Sequence, residues 1–288
     1  MKKLFLMSCL SFSIAAVAQN TSNPITFTKG QKLEVITEIQ KSTTMDLMGQ
    51  SMENTANTTL TESFDIEDVT ESGAKIEYKV KRLLVNAEAM GRAQSFDSEK
   101  EGDRRGEMGR LFEKGLKNKY TMEIDRSGKV VSVTADDDNP RGKGSSQEEA
   151  MAAMIQSQVG LNLELPQVGA ASVFKILPDN NYTAGYTWSE AKDTMGIKSF
   201  TEYKIASITD TEIVIDFTEN SVINTKQDMM GAEAVITGSE KGNGKIVVDK
   251  ATGIFKSKTI TKEAQANIEA QGMTIPTTDK TTITVTVK

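Results

Sequence analysis

Strict alternation of apolar and charged residues is the feature that most constrains this chain. In the stretch 75–81, KIEYKVK, every apolar residue falls on one side of an extended backbone and every charged residue on the other. The same period of two relates Ile213, Ile215 and Phe217, with Glu212 and Asp216 opposite, and the apolar residues at 283, 285 and 287. A period of two is typical of β-strands with one buried and one wet face. Because a wet face favours antiparallel over parallel sheet, the sequence predicts a mainly β, antiparallel fold.

A short motif, Asp-x-Met-Gly, interrupts the strand-like sequence three times, at 46–49, 193–196 and 228–231. Weaker relatives are Ala-Met-Gly at 89–91 and Gln-Gly-Met at 271–273. Glycine adopts a positive φ without steric cost, and an aspartate side chain can accept hydrogen bonds from a turn backbone. We therefore interpret these motifs as the reversals of β-hairpins.

A second pair of similar stretches, 122–130 and 247–254, reads strand, Asp, basic residue, small polar residue, Gly, strand. Both are hairpin signatures. The order of Asp-x-Met-Gly, alternating strand and Asp-basic-Gly occurs twice, and the first copy is longer by 23 residues. That difference is close to the length of the stretch 99–119. We predict two related curved-sheet lobes, the first at 19–165 with a helical insertion and the second at 166–288.

Two stretches have helical rather than strand-like spacing. The apolar residues at 108, 111, 112 and 116 lie on one face of a helix, although Gly109 and Gly115 lower its propensity. The stretch 146–160 starts with a Ser-x-x-Glu capping box and ends at a glycine that suits a C-terminal cap. The sequence thus predicts one or two helices, and we expect the second to cover an open face of the sheet.

The N-terminus reads as an export signal. Lys2 and Lys3 precede an apolar run, which ends in the small-x-small pattern Ala16-Val17-Ala18. We expect cleavage after Ala18, a mature chain that starts at Gln19, and a periplasmic or secreted location. No later segment approaches the roughly 20 apolar residues of a transmembrane helix. The alternative is a lipobox at 6–9 that would acylate Cys9, although the apolar run continues past this cysteine.

Missing residue types exclude most catalytic chemistry. The chain has no histidine, and its one cysteine, Cys9, would be lost on cleavage. Ser-His-Asp and Cys-His arrangements and the usual zinc sites are therefore excluded. No phosphate-binding glycine motif occurs. The net charge of −6, which becomes −8 once Lys2 and Lys3 are removed, argues against nucleic acid as a partner. We predict no enzyme activity, no catalytic, cofactor-binding or metal-binding residues, and no cofactor.

Three residue groups leave alternatives open. Paired carboxylates could hydrolyse glycans, with Trp188 stacking on a sugar, but Trp188 also suits a core position. The loop 136–139, DDDN, could hold a calcium ion or be a solvated acidic loop. Several methionines at presumed hairpin ends could fill the core or form a rim that touches lipid or a partner. These methionines are Met48, Met52, Met195, Met229 and Met230.

Several stretches together resemble an uncharacterised family of secreted proteins from Bacteroidota. They are the Lys-rich signal ending in Ala-x-Ala-Gln, GYTW at 185–188, DRSGKVVSV at 125–133 and DKATGIF at 249–255. The family has no established activity, so the resemblance implies no site residues. The predicted architecture is also similar to the half-barrels of periplasmic lipoprotein carriers, which implies a curved sheet that holds acyl chains on its concave face.

These observations favour an exported, non-catalytic binding or carrier module. Its expected partner is an apolar ligand such as a lipid, or another envelope protein. The alternative is a structural or protein-interaction β-protein whose sheet is filled by its own side chains and which takes no small ligand.

Overall fold

The computed structural model describes most of the chain after residue 23. The described residues are 24–47, 49–89, 91–135, 152, 155–156, 158–161, 163, 165–179, 182–194, 196–229, 232–270 and 272–288. The predicted signal peptide, the start of the helix predicted at 146–160 and the acidic loop at 136–139 lie outside them.

Twelve antiparallel strands form a single sheet, which is curved rather than closed. In sheet order the path is β6-β5-β3-β2-β1-β12-β11-β10-β9-β8-β7, and β4 pairs with β3. The strands are β1 (Lys32–Leu47), β2 (Gln50–Val69), β3 (Gly73–Ala89), β4 (Arg92–Asp97), β5 (Lys119–Asp125), β6 (Val130–Ala135), β7 (Thr187–Thr194), β8 (Ile197–Ile208), β9 (Glu212–Met229), β10 (Ala232–Asp249), β11 (Phe255–Ala270) and β12 (Met273–Val287). The predicted mainly β, antiparallel fold class is confirmed, and β1 and β12 join the two halves of the chain into one sheet.

At each of the five motifs, two residues separate the end of one strand from the start of its antiparallel partner. The tips join β1 to β2, β3 to β4, β7 to β8, β9 to β10 and β11 to β12. Where described, their glycines have positive φ, for example 82° at both Gly49 and Gly196. Asp46 accepts a hydrogen bond from the Gly49 N–H at 2.9 Å, as the motif predicts. Since the strands alternate in direction, the five tips lie at the same end of the sheet, here called the mouth.

The Asp-basic-Gly hairpins lie at the opposite end, here called the base. Asp125 accepts hydrogen bonds from the Ser127 hydroxyl and the Lys129 N–H, and Gly128 has a φ of 84°. The segment 24–27 closes this end, because Ile25 N–H donates to the turn that follows β5 and Thr26 N–H donates to the turn that follows β10. The base therefore ties together turns from both halves of the chain.

The helices interrupt the first half of the sheet. β4 and β5 both pair with β3, β4 near the mouth and β5 near the base. Between them lie α1 (Glu101–Arg105) and α2 (Glu107–Leu116), within the stretch predicted as the helical insertion. In the second half one uninterrupted strand, β10, pairs along the whole of β9. The insertion thus divides a strand that is continuous in the other half.

Several details recur at an offset of 139 positions. The β2–β3 pair has a register shift just after Ile66, and the β8–β9 pair has one just after Ile205. The turns that follow also match, because Thr70 N–H donates to Gly73 O and Thr209 N–H donates to Glu212 O, both at 2.8 Å. The two halves therefore share strand order, bulge and turn geometry. The division into lobes at 165/166 stays a prediction.

Two apolar cores pack on the inner face of the sheet, which is the face that carries the buried side chains. The larger core fills the base and draws on both halves, with Phe174 fully buried and in edge contact with Phe27 and Phe64. The smaller core lies under α2, where Phe112 is fully buried, as its predicted helical spacing requires. Gly115 of α2 gives Leu163 room, because a Cβ at this position would lie 2.3 Å from the Leu163 Cδ1. The glycine that weakens the helical propensity is therefore a close-packing position.

Candidate ligand-binding face

The inner face of β7–β12 carries a row of aromatic side chains above the base core. Trp188 stacks on Tyr203 with ring centroids 4.9 Å apart, and Tyr203 lies 5.8 Å from Phe217. Tyr186 extends the row past Trp188. Gly244 of β10 makes room for the row, because a Cβ there would lie 2.5 Å from the Phe217 ring. Burial raises the pKa of Tyr203 to about 12, so its hydroxyl stays protonated at neutral pH.

A polar belt follows toward the mouth. The Lys262 ammonium donates to Glu219 at 2.9 Å and to Glu240 at 3.0 Å, and Lys41 lies 3.6 Å from Asp279. Burial alone would lower the pKa of Lys262, but the two carboxylates outweigh it and raise this pKa above its ordinary value. These groups neutralise one another in pairs and triads, as charged groups on a half-buried face must.

Above the belt the inner face becomes apolar again. Ile236, Ile268 and Ile275 lie side by side on β10, β11 and β12, because Ile236 pairs with Ile268 and Ile268 with Ile275. All three are half-buried and belong to neither described core. At the mouth itself Ile197 and Met273 are more than one-third exposed. The second half therefore presents an apolar band that the described part of the chain leaves open.

The matching face of the first half is covered. Phe112 of α2 packs there, and so do Val159, near the end of the predicted second helix, and Leu161 and Leu163, which follow it. The Thr58 hydroxyl on β2 donates to the Val159 carbonyl at 3.0 Å, which holds this segment on the sheet. Residues 152, 155, 156 and 158 are helical, and Gly160 ends the turn with a φ of 75°. The C-terminal part of the predicted helix thus leads into a segment on the inner face, over β1–β3.

One titratable cluster lies in the first half. The Tyr78 hydroxyl donates to Glu62 at 2.8 Å, and the Tyr78 ring stacks on Tyr120 at 4.3 Å. Burial raises the pKa of the Glu62 carboxyl, and the hydrogen bond from Tyr78 opposes this only in part. The cluster contains a single carboxyl, so it offers neither the pair that glycan hydrolysis needs nor a metal site.

The residues singled out from the sequence have different outcomes. Trp188 contacts the base core, and its stacking partner Tyr203 covers one ring face. Met52 is half-buried, Met229 lies at the end of β9, and Met48, Met195 and Met230 lie outside the described residues. Among the described residues there is no cluster of three or more potential metal ligands. Sequence reasoning missed the aromatic row and the polar belt, because both assemble across strands.

The best-formed pockets between described residues lie away from this face. One, of about 140 Å³, lies at the base beside Ile25 and Ile124. The other is an open depression of about 380 Å³ on the outer face, lined by charged residues such as Lys79 and Lys81. Neither of these two pockets lies on the inner face.

Comparison with known proteins places the chain in a family but gives it no function. Residues 71–255 match the model of a family of unknown function, DUF6263. No curated protein matches. Within the described residues, no helix is both long enough and apolar enough to cross a membrane.

Three solved structures are distantly similar to the chain. A structure of lipovitellin, described as showing lipid–protein interactions, is 11% identical with a TM-score of 0.47, and the match covers 91% of this chain but 25% of that one. Pseudomonas aeruginosa OpdQ is 9% identical with a TM-score of 0.27, covering 90% and 99% of the two chains. An outer membrane channel from Pseudomonas putida F1 is 7% identical with a TM-score of 0.22, covering 92% and 98%. No conclusion about function follows from likenesses of this size.

Proposed function

The chain belongs to the DUF6263 family, whose function is unknown, so we infer its role from its own geometry. We propose that it binds an apolar or amphipathic ligand, such as a lipid, on the open inner face of β8–β12. The observation that carries the proposal is the row of Ile236, Ile268 and Ile275, which is apolar, half-buried and part of neither core. A contiguous apolar surface that the protein itself leaves open is typical of a binding site.

The first half of the chain supports this proposal. There the matching face is covered by α2 and by the segment 159–163, with Phe112 and Val159 almost completely buried. The same kind of sheet surface therefore takes an apolar cover in one half. In the other half, a bound ligand would supply that cover.

A binding role also fits the chemistry of the face. Both carboxylates of the belt, Glu219 and Glu240, accept hydrogen bonds from the same lysine, which favours a structural role for this pair. We expect a binding protein that works without catalysis, and we expect it to be exported after cleavage behind Ala18. N-terminal sequencing of the mature protein should then start at Gln19.

Lipid capture tests the proposal. The full chain would be incubated with mixed fatty acids and phospholipids, repurified without detergent and analysed by native mass spectrometry. We expect stoichiometric lipid on the wild type and on Asn267→Glu, which adds a charge to the outer face of β11. We expect less than a tenth of that lipid on Ile268→Glu, which adds the same charge one residue along, on the inner face.

Circular dichroism must show that each variant is folded. If Ile268→Glu does not fold, Ala270→Glu places the same charge on the inner face nearer the mouth. A folded wild-type protein that retains no lipid would contradict the proposal and support a structural role without a small ligand.

A further inference from the structure

Three lysines of β11 differ in their ion-pair partners. Lys256, on the outer face, lies 3.0 Å from Glu212 and 3.6 Å from Asp249. Lys262, on the inner face, holds Glu219 and Glu240. Lys258 lies between them, also on the inner face, and forms no ion pair with any described carboxylate. Among the described residues, one of the three cations therefore has no carboxylate within ion-pair distance.

The surroundings of Lys258 are mostly apolar. Its strand neighbours across the sheet are Ile246 and Val285, and Ile260 follows it on the same face. Its ammonium lies 5.3 Å from the centre of the Phe217 ring, which is a cation–π contact. Such a contact offsets only part of the free energy that a half-buried ammonium loses on leaving water. The burial lowers the pKa of Lys258.

The two carboxylates that attract Lys258 both have other partners. Glu219 of β9 and Glu190 of β7 attract it, whereas Lys262 and Lys192 repel it. Glu219 is already bound by Lys262. Glu190 interacts with the Tyr203 hydroxyl. The site therefore combines a cation that no described carboxylate pairs with, the buried ring of Phe217 and the half-buried rings of Tyr203 and Trp188, at the base side of the polar belt.

We propose that Lys258 binds the acidic head group of an amphiphile, a carboxylate or a phosphate, whose apolar tail lies against the aromatic row of Phe217, Tyr203 and Trp188. This rests on the proposed function, because it names the class of the ligand for the same face. The acidic head group would form an ion pair with the Lys258 ammonium. The rings of Phe217, Tyr203 and Trp188 would lie beside the bound ligand. The isoleucine row of β10–β12 lies beyond the polar belt and takes no part in this contact.

Trp188 offers a direct measurement, since it is the only tryptophan of the chain and belongs to the aromatic row. Its fluorescence would be followed during titration with palmitate, hexadecyl phosphate, methyl palmitate and inorganic phosphate. We expect palmitate or hexadecyl phosphate to bind at least tenfold more tightly than methyl palmitate. A preference for palmitate would indicate a fatty acid as the natural ligand, and a preference for hexadecyl phosphate a phosphate-bearing lipid.

Variants then assign the preference to Lys258. Lys258→Met should weaken binding of the charged amphiphiles about tenfold and leave methyl palmitate unchanged, whereas Lys258→Arg should stay within about threefold of the wild type. Lys245→Met removes a lysine from the outer face of β10 and should change nothing. Equal binding of palmitate and methyl palmitate to the wild type, or equal loss of both in Lys258→Met, would overturn the inference while leaving the binding face in place. Binding of neither would overturn both.

Discussion

The hairpin tips allow a matched test of how the repeated motif works. Gly49 and Gly196 occupy the same place in two tips, and both have a φ of 82°. A Cβ on Gly49 would meet nothing within 4 Å, whereas a Cβ on Gly196 would lie 2.1 Å from the backbone oxygen of Asn224. Alanine at either position must adopt a left-handed conformation, which costs roughly 1–2 kcal/mol. Only Gly196→Ala must also displace a neighbouring strand.

The displaced contact sets the expected difference. Asn224 N–H donates to Gly196 O at 2.8 Å, so the two backbones are already in close contact. Inserting a carbon into a packed site typically costs about 1–3 kcal/mol. Gly49→Ala should therefore lower the free energy of unfolding by about 1–2 kcal/mol and Gly196→Ala by about 2–5 kcal/mol. Urea unfolding followed by circular dichroism and Trp188 fluorescence would measure both. Equal losses would refute the close approach at the β7–β8 tip.

Three further predictions address the cores and the buried charges. Phe112→Ala should cost about 3–5 kcal/mol of stability in urea unfolding because it empties a fully buried site, whereas Phe200→Ala on the exposed outer face should stay within about 0.5 kcal/mol. Glu62→Gln should raise the melting temperature at pH 7, because the raised pKa of Glu62 makes its ionisation in the folded state unfavourable. The gain should vanish as the pH falls below 4.5, the pKa of the carboxyl in the unfolded chain. A gain that does not change with pH would contradict this explanation. Lys258→Met should raise the melting temperature of the ligand-free protein at neutral pH, because burial lowers the pKa of Lys258 and so makes its charged form unfavourable in the folded state. The gain should shrink as the pH rises toward 10.5, where the unfolded lysine also loses its proton. A melting temperature below that of the wild type would contradict the inference that the charge of Lys258 destabilises the fold.

Much of the local structure could be predicted because it depends on neighbouring residues. A two-residue tip at 195–196 pairs Trp188 with Tyr203 by simple counting, and the tip at 230–231 pairs Phe217 with Gly244. The aromatic row was thus partly accessible from the hairpin motifs once their length is known. The same counting places Lys258 opposite Val285.

The long-range organisation could not be predicted in this way. The β1–β12 pairing joins Val35 to Val287, and no local pattern selects that partner. The contact of Lys258 with Phe217 crosses β10 and depends on the missing side chain of Gly244, which sequence spacing does not reveal. The helical insertion could be predicted only in part. The difference in length between the two copies gave its position, but it did not show that the insertion splits one strand into β4 and β5.

The split strand connects the fold to the proposed site. In the first half the insertion adds α2, whose buried face, centred on Phe112, covers the inner face of the sheet. In the second half β10 continues without interruption, so no helix is inserted at the matching place. Gly244 of β10 instead leaves room for the Phe217 ring of the neighbouring strand β9. In the described part of the chain, a difference in one strand of the repeated pattern therefore accounts for a covered face in one half and an open face in the other, and Lys258, which forms no ion pair with a described carboxylate, lies in the half with the open face.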